Sequence, residues 1–212
     1  LPGVPVWLGG PEVSFDAQEI LTKFSGLTGI MIGEGEETFK ELLEYYAGPV
    51  CAGQMTGDDS GVAGAECWDD ERTLDNIAGL CLRSGYTAVR GLTDFNRLPF
   101  LYDNLEEFEN RIIYYESSRG CPYRCSYCLS SIDKKVRFRD LDVVKRELQF
   151  FLDQKVPQVK FVDRTFNCNH KHAMEIWEYI QSHDNGITNF HFEIAADLLT
   201  KEELEILKKM RP

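Results

Sequence analysis

Along the chain, short unbroken apolar runs alternate with apolar residues spaced three and four apart, the pattern of strands alternating with helices. Val4 to Leu8 is one such run, ended by Gly9-Gly10-Pro11, and predicts a buried strand entering a tight turn. A helix is expected next, with Asp16 and Glu19 as a capping box and Ile20, Leu21 and Phe24 as its apolar face. Gly29-Ile30-Met31-Ile32 predicts a second strand, closed by Gly33-Glu34-Gly35-Glu36. Phe39, Leu42, Leu43 and Tyr46 then mark a helix face, with Glu36 and Glu37 at its positive N-terminal end. Strand, helix, strand, helix with fully apolar strands predicts a parallel α/β sheet, whose ligands lie at the carboxyl ends of the strands.

From Gly48 to Asn76 the periodicity fades, and a long surface loop carrying Cys51 and Cys67 is expected. Ile77–Leu82 and Tyr86–Arg90, joined through Arg83-Ser84-Gly85, suggest a hairpin, and Gly91 to Asn110 reads as a linker. Arg111 to Glu116 is rich in β-formers. After it the period changes to βα units: a helix face at Leu141, Val144, Leu148, Phe151 and Leu152, a strand over Val159–Asp163, and a second face at Ala173, Ile176, Trp177 and Ile180. A third strand over Phe190–Ala195 follows, then a helix capped by Thr200 with Glu203. The organisation expected is a partial α/β domain with a hairpin extension over 1–95, a linker over 96–110 and three βα units over 111–212, the first half of a TIM-like barrel. Leu1 and the stop at Arg211-Pro212, just past a helical pattern, read as cuts through a longer protein.

The chemistry concentrates in Glu116 to Ser130. Cys121, Cys125 and Cys128 sit on one short loop after a strand and Gly120, so three thiolates can converge on one metal centre. A [4Fe-4S] cluster normally takes four thiolates, and a loop offering three leaves one iron open. Zinc is the rival, because Cys125-x-x-Cys128 is a zinc half-site followed by Cys168, His170 and His172; it leaves Cys121 unexplained. His170 and His172 are expected on a solvated loop or helix start. Cys51, Cys67 and Cys81 are too scattered for a second motif, and seven cysteines, an odd number, argue against a disulfide framework.

The phrase Ser118-Arg119-Gly120-Cys121-Pro122-Tyr123-Arg124-Cys125-Ser126-Tyr127-Cys128 resembles the cluster loop of radical S-adenosylmethionine (SAM) enzymes, in particular the cobalamin-domain and methylthiotransferase branches, and the chain resembles an interior fragment of the cyclase-like members. The resemblance implies that Cys121, Cys125 and Cys128 hold a [4Fe-4S] cluster whose open iron chelates SAM, which the cluster's electron splits to a 5′-deoxyadenosyl radical, and that Tyr127 packs near the adenine. Asp163 takes the position of a Gly-Gly-Glu strand end that holds the methionine amino group. Glu193, on the lumen side if the phenylalanines of its strand face the helices, would be a costly buried carboxylate unless it met a cofactor or cation.

The two glycine turns are not a dinucleotide fingerprint, and alone are generic strand-to-helix turns. Beside the cysteine loop they resemble the end of a cobalamin-binding domain, which implies that Gly9, Gly10, Ser14, Gly33, Glu34 and Gly35 line the corrinoid tail. The Asp-x-His-x-x-Gly motif that ligates cobalt is absent from the chain. The function implied is reductive cleavage of SAM, with cobalamin-dependent methylation or oxidative cyclisation of an unreactive carbon. A tRNA methylthiotransferase and a zinc-stabilised interaction module are the alternatives. A small-molecule substrate and an electron donor such as flavodoxin or ferredoxin are the expected partners.

Composition narrows the partners. With 43% hydrophobic and 12% aromatic residues the chain can build a real core. The 23 basic residues against 35 acidic give a net charge of −12, which disfavours a nucleic-acid backbone as partner. No apolar run approaches the roughly 20 residues of a spanning helix, so no membrane partner is expected, and oxygen-sensitive chemistry points to the cytoplasm.

Overall fold

The computed structural model describes residues 3–47, 73–108, 111–131 and 135–210; Cys51 and Cys67 lie outside them. The chain divides into two units, residues 1–93 and 94–212. In the first, β1 (Trp7–Leu8) turns through the single-turn α1 (Pro11–Ser14) into α2 (Ala17–Lys23), then β2 (Gly29–Met31) and α3 (Glu36–Ala47). β3 (Leu80–Leu82) and β4 (Gly85–Tyr86) form the expected hairpin.

The sheet of this unit is mixed where a parallel one was expected. β1 and β2 run parallel, with Trp7 opposite Gly29, but β3 joins β2 antiparallel, with Ile30 opposite Cys81. The hairpin turn is tied down by Arg83, whose guanidinium donates to the carbonyls of Leu21 at 2.8 Å and of Phe24, Ser25 and Leu27 at 2.9–3.1 Å. Leu21 lies in the last turn of α2, where carbonyls lack helical partners, and Phe24, Ser25 and Leu27 lie in the loop that follows it.

Two helix faces are rotated from their expected positions. In α2, Ala17 and Leu21 are buried, whereas Phe24 ends the helix in extended backbone and is exposed; Asp16 makes no side-chain cap, so the capping box is not formed. In α3 the buried line is Thr38 and Leu42 with Tyr45 packed beside it, and Phe39, Leu43 and Tyr46 are exposed. The one-residue rotation follows from Thr38, whose hydroxyl is satisfied by the carbonyl of Ala78 at 3.1 Å and can therefore be buried.

The second unit opens with residues 94–108, which pack onto its core and do not run as a bare linker: Phe100, Tyr102, Leu105 and Phe108 lie against buried side chains. Its elements are β5 (Ile113–Tyr115), β6 (Ser118–Arg119), β7 (Arg137–Phe138), α4 (Leu141–Asp153), β8 (Gln158–Phe161), α5 (His170–Ser182), β9 (Asn189–His191) and α6 (Lys201–Leu207). β5, β8 and β9 form a parallel sheet in that order, as the three predicted βα units require.

Ile113, Tyr115, Val159 and Phe161 are buried with Val144, Leu148 and Phe151 of α4 and Ala173, Ile176, Trp177 and Ile180 of α5, where the apolar periodicity had placed the faces. Tyr114, Lys160 and His191, which share the alternate register, stand on the opposite sheet face. The expected capping box of the last helix is present at Thr200 and Glu203.

β9 is shorter than the strand expected over 190–195. Beyond His191 the backbone pairs with the turn before α5: Phe166 donates to the carbonyl of Glu193 at 2.9 Å, and the Asn167 side chain bonds both the N–H and the C=O of Ala195 at 2.9 Å. Phe190 and Phe192 pack toward the helices, against Phe161. His172, expected in solvent, is instead buried in α5 beside Phe138, their ring centroids 4.9 Å apart.

Candidate cofactor sites

The cysteine loop leaves the carboxyl end of β5 and is fixed at its base before the first cysteine. Asp163, at the end of β8, is 1% exposed. Its Oδ2 accepts from the Ser117 N–H at 3.0 Å, and its Oδ1 accepts from the hydroxyls of Ser117 at 2.7 Å and Ser118 at 2.5 Å. Burial pushes its carboxyl above the ordinary range, and the bonds from Ser118 and Ser117 oppose that. The group expected to contact a ligand thus holds the loop from beneath.

His172 closes the anchor from α5, its Nε2 3.4 Å from the Ser117 hydroxyl. Burial lowers its pKa to about 4, so the ring is neutral at physiological pH.

Above this base, β6 pairs antiparallel with β7, and the Arg139 N–H donates to the carbonyl of Ser117 at 2.9 Å. Gly120 has φ +103°, and a Cβ there would stand 2.4 Å from the carbonyl oxygen of Lys135, so only glycine fits this turn. Arg119 makes a bidentate pair with Glu116 at 2.8 and 3.0 Å. The Cys128 N–H bonds the Cys125 carbonyl at 3.0 Å, curling the end of the loop.

Cys121, Cys125 and Cys128 are all half-buried. Among the described residues no group of three or more His, Cys, Asp or Glu side chains stands in metal-binding convergence, these three thiols included. Their donor chemistry, one short loop and placement at a carboxyl strand end fit an iron-sulfur cluster better than zinc, since His172 is buried at the anchor and His170 is bonded through Nδ1 to the buried Glu203 at 2.9 Å. Tyr127 is 91% exposed, its ring open to a ligand. The Cys121 sulfur lies 3.5 Å from the hydroxyl of Thr165, and Cys168, half-buried close by, has its thiol pushed up by burial and by Cys121.

Glu193 stands on the open sheet face as alternation required. It is not a buried lone carboxylate, for it is 46% exposed and pairs with Lys160 at 3.4 Å.

In the first unit the two glycine turns follow β1 and β2, neighbouring parallel strands, at their carboxyl ends. Gly10 and Gly33 adopt φ +96° and +78°, and at Gly10, Gly33 and Gly35 an added Cβ would meet no protein atom within 4 Å. Those backbones border open space at the carboxyl ends of the two strands. A Cβ at Gly9 would touch Met31 at 3.1 Å. The Ser14 hydroxyl donates to the Gly10 carbonyl at 2.8 Å, and Glu34 accepts from the Thr93 N–H at 2.7 Å, so both brace turns of this unit.

Sequence reasoning missed Ser117, Thr165, Asn167 and the burial of His172. Ser117 and Asp163 are separated by 46 positions, and no local pattern links them.

Comparison with known proteins agrees with this arrangement. The model of the radical SAM superfamily matches residues 115–212. Hopanoid C-3 methylase of Methylococcus capsulatus is 27% identical, with 99% of this chain and 38% of that protein covered. Cobalamin-dependent radical SAM methyltransferase TokK of Streptomyces tokunonensis is 26% identical, with 78% and 24% covered. Among solved structures, the radical SAM methyltransferase TsrM from Kitasatospora setae with cobalamin and a [4Fe-4S] cluster bound superimposes with a TM-score of 0.64 at 17% identity, covering 98% of this chain and 40% of that one. The chain therefore spans about a quarter to two fifths of the proteins it matches. The cysteine loop and the parallel βα order thus lie in the stretch, residues 115–212, that is similar to the radical SAM superfamily.

Proposed function

We propose that the chain is the junction of a cobalamin-binding domain and the first half of a radical SAM barrel, within an enzyme that methylates an unreactive carbon of a small molecule. The observation that carries this reading is the three-cysteine loop, braced at the carboxyl end of the first strand of a parallel βα sheet. Cys121, Cys125 and Cys128 would hold a [4Fe-4S] cluster, which when bound supplies the electron that cleaves the sulfonium of SAM. Asp163, Ser117 and Ser118 keep the base of the loop in place. Tyr127 offers an exposed ring to the adenine, and Glu193 with Lys160 offers a charged pair to the polar groups of SAM on the open sheet face.

The glycine turns at Gly9-Gly10 and Gly33–Gly35 would take the corrinoid tail, with Ser14 and Glu34 shaping those turns. Methylation is preferred to cyclisation because the relatives are named as methylases and methyltransferases. A reduced flavodoxin or ferredoxin would supply electrons in the cytoplasm. Among the described residues no helix is long and apolar enough to cross a membrane.

The test uses the intact protein, reconstituted anaerobically and incubated with hydroxocobalamin and SAM labelled in its methyl group. Corrinoid absorbance that stays with the protein, and label passing from SAM to the corrinoid, are expected. A protein that cleaves SAM yet retains no corrinoid would overturn the cobalamin assignment.

A further inference from the structure

Thr165 occupies the position that would cap the helical turn Phe166–Cys168, where a threonine hydroxyl ordinarily accepts a backbone N–H, yet it makes no side-chain cap. Its hydroxyl lies instead 3.5 Å from the sulfur of Cys121, a normal hydrogen-bond separation for the larger sulfur atom. The residue is only 5% exposed, so water cannot readily replace that contact. Its backbone is fixed as well: the carbonyl of Thr165 accepts from the Cys168 N–H at 3.0 Å, two residues beyond the Asp163 anchor. In the free thiol either partner can donate. Once Cys121 is a deprotonated metal ligand, only the threonine has a proton to give.

A hydrogen bond to a ligating sulfur stabilises the more negative, reduced state of a cluster and raises its reduction potential. We propose that Thr165 is a positioning residue that donates to the Cys121 sulfur and sets the potential at which the cluster accepts its electron. The inference rests on the cluster reading given above. Removing the donor should make the cluster harder to reduce without dislodging it, because all three cysteines remain.

The experiment is a redox titration of the reconstituted intact protein, followed by electron paramagnetic resonance, on the parent, Thr165→Val and Thr165→Ser. Valine keeps the shape and loses the hydroxyl, whereas serine keeps the hydroxyl. The expected result is equal iron content in all three, a midpoint potential more negative in Thr165→Val, and a potential close to the parent's in Thr165→Ser. Equal potentials in all three loaded proteins would overturn the role of Thr165 and leave the cluster reading intact. Loss of iron in both variants would also overturn it, since Thr165 would then be needed only to build the loop. A parent that takes up no iron would instead remove the cluster reading itself, and the inference with it.

Discussion

Asp163 ties the base of the cysteine loop to the end of β8 through Ser117 and Ser118. Replacing it by alanine leaves the Ser117 N–H and two serine hydroxyls without their acceptor, at a cost of about 2–3 kcal/mol. Asp163→Ala should therefore lower the denaturant midpoint and reduce iron uptake together. Glu193→Gln should leave stability within about 1 kcal/mol of the parent, since the residue is outside the core, while weakening SAM binding measured by calorimetry. Unfolding of that variant with unchanged SAM binding would make Glu193 a structural partner of Lys160.

His172 adds a pH dependence. Its pKa is lowered from 6.5 to about 4 by burial, so between those values the unfolded chain binds the proton first. Stability should fall as pH drops from about 6.5 to 4, by at most about 3 kcal/mol from this group. His172→Phe should flatten that part of the stability profile measured by urea unfolding; an unchanged slope would place the acid sensitivity elsewhere.

Among the elements, the two long helices of the second unit were legible because their buried residues are almost all apolar, so periodicity alone set the faces of α4 and α5. α3 was misread by one residue because a satisfied threonine can be buried, which a pattern of apolar positions does not register. The third strand was drawn too long because Asn167 takes the backbone groups of Ala195 that a neighbouring strand would otherwise have paired.

The junction of β7 and α4 carries a buried network that no pattern announces. Arg139 donates to Glu147 at 3.0 Å, and the Tyr115 hydroxyl donates to the other oxygen of Glu147 at 2.7 Å. Burial, with Glu147 beside it, pushes the Tyr115 hydroxyl far up, so it remains a donor. Glu147→Ala leaves Arg139 buried and uncompensated and should destabilise the second unit by about 3–5 kcal/mol, read from chemical denaturation. A loss under about 1 kcal/mol would mean that water or rearrangement satisfies the arginine.

For the whole molecule, the two units differ in how much of them is visible locally. The cysteine spacing and the βα order of the second unit are one-dimensional features, legible in the sequence itself. The antiparallel attachment of β3 to β2, across the long stretch between α3 and the hairpin, was not, because strand pairing at such separation leaves no periodic trace. The loop anchor was hidden for the same reason: Asp163 reads as a strand end, and its serine partners read as part of the cysteine motif.

The central claim is that Cys121, Cys125 and Cys128 together hold one iron-sulfur cluster. Iron and acid-labile sulfide analysis of the intact protein after anaerobic reconstitution, beside Cys125→Ala, tests it most directly. The account predicts about four irons and about four sulfides per chain in the parent, with loss of nearly all of both in the variant. One tightly bound zinc per chain with no iron uptake would contradict it.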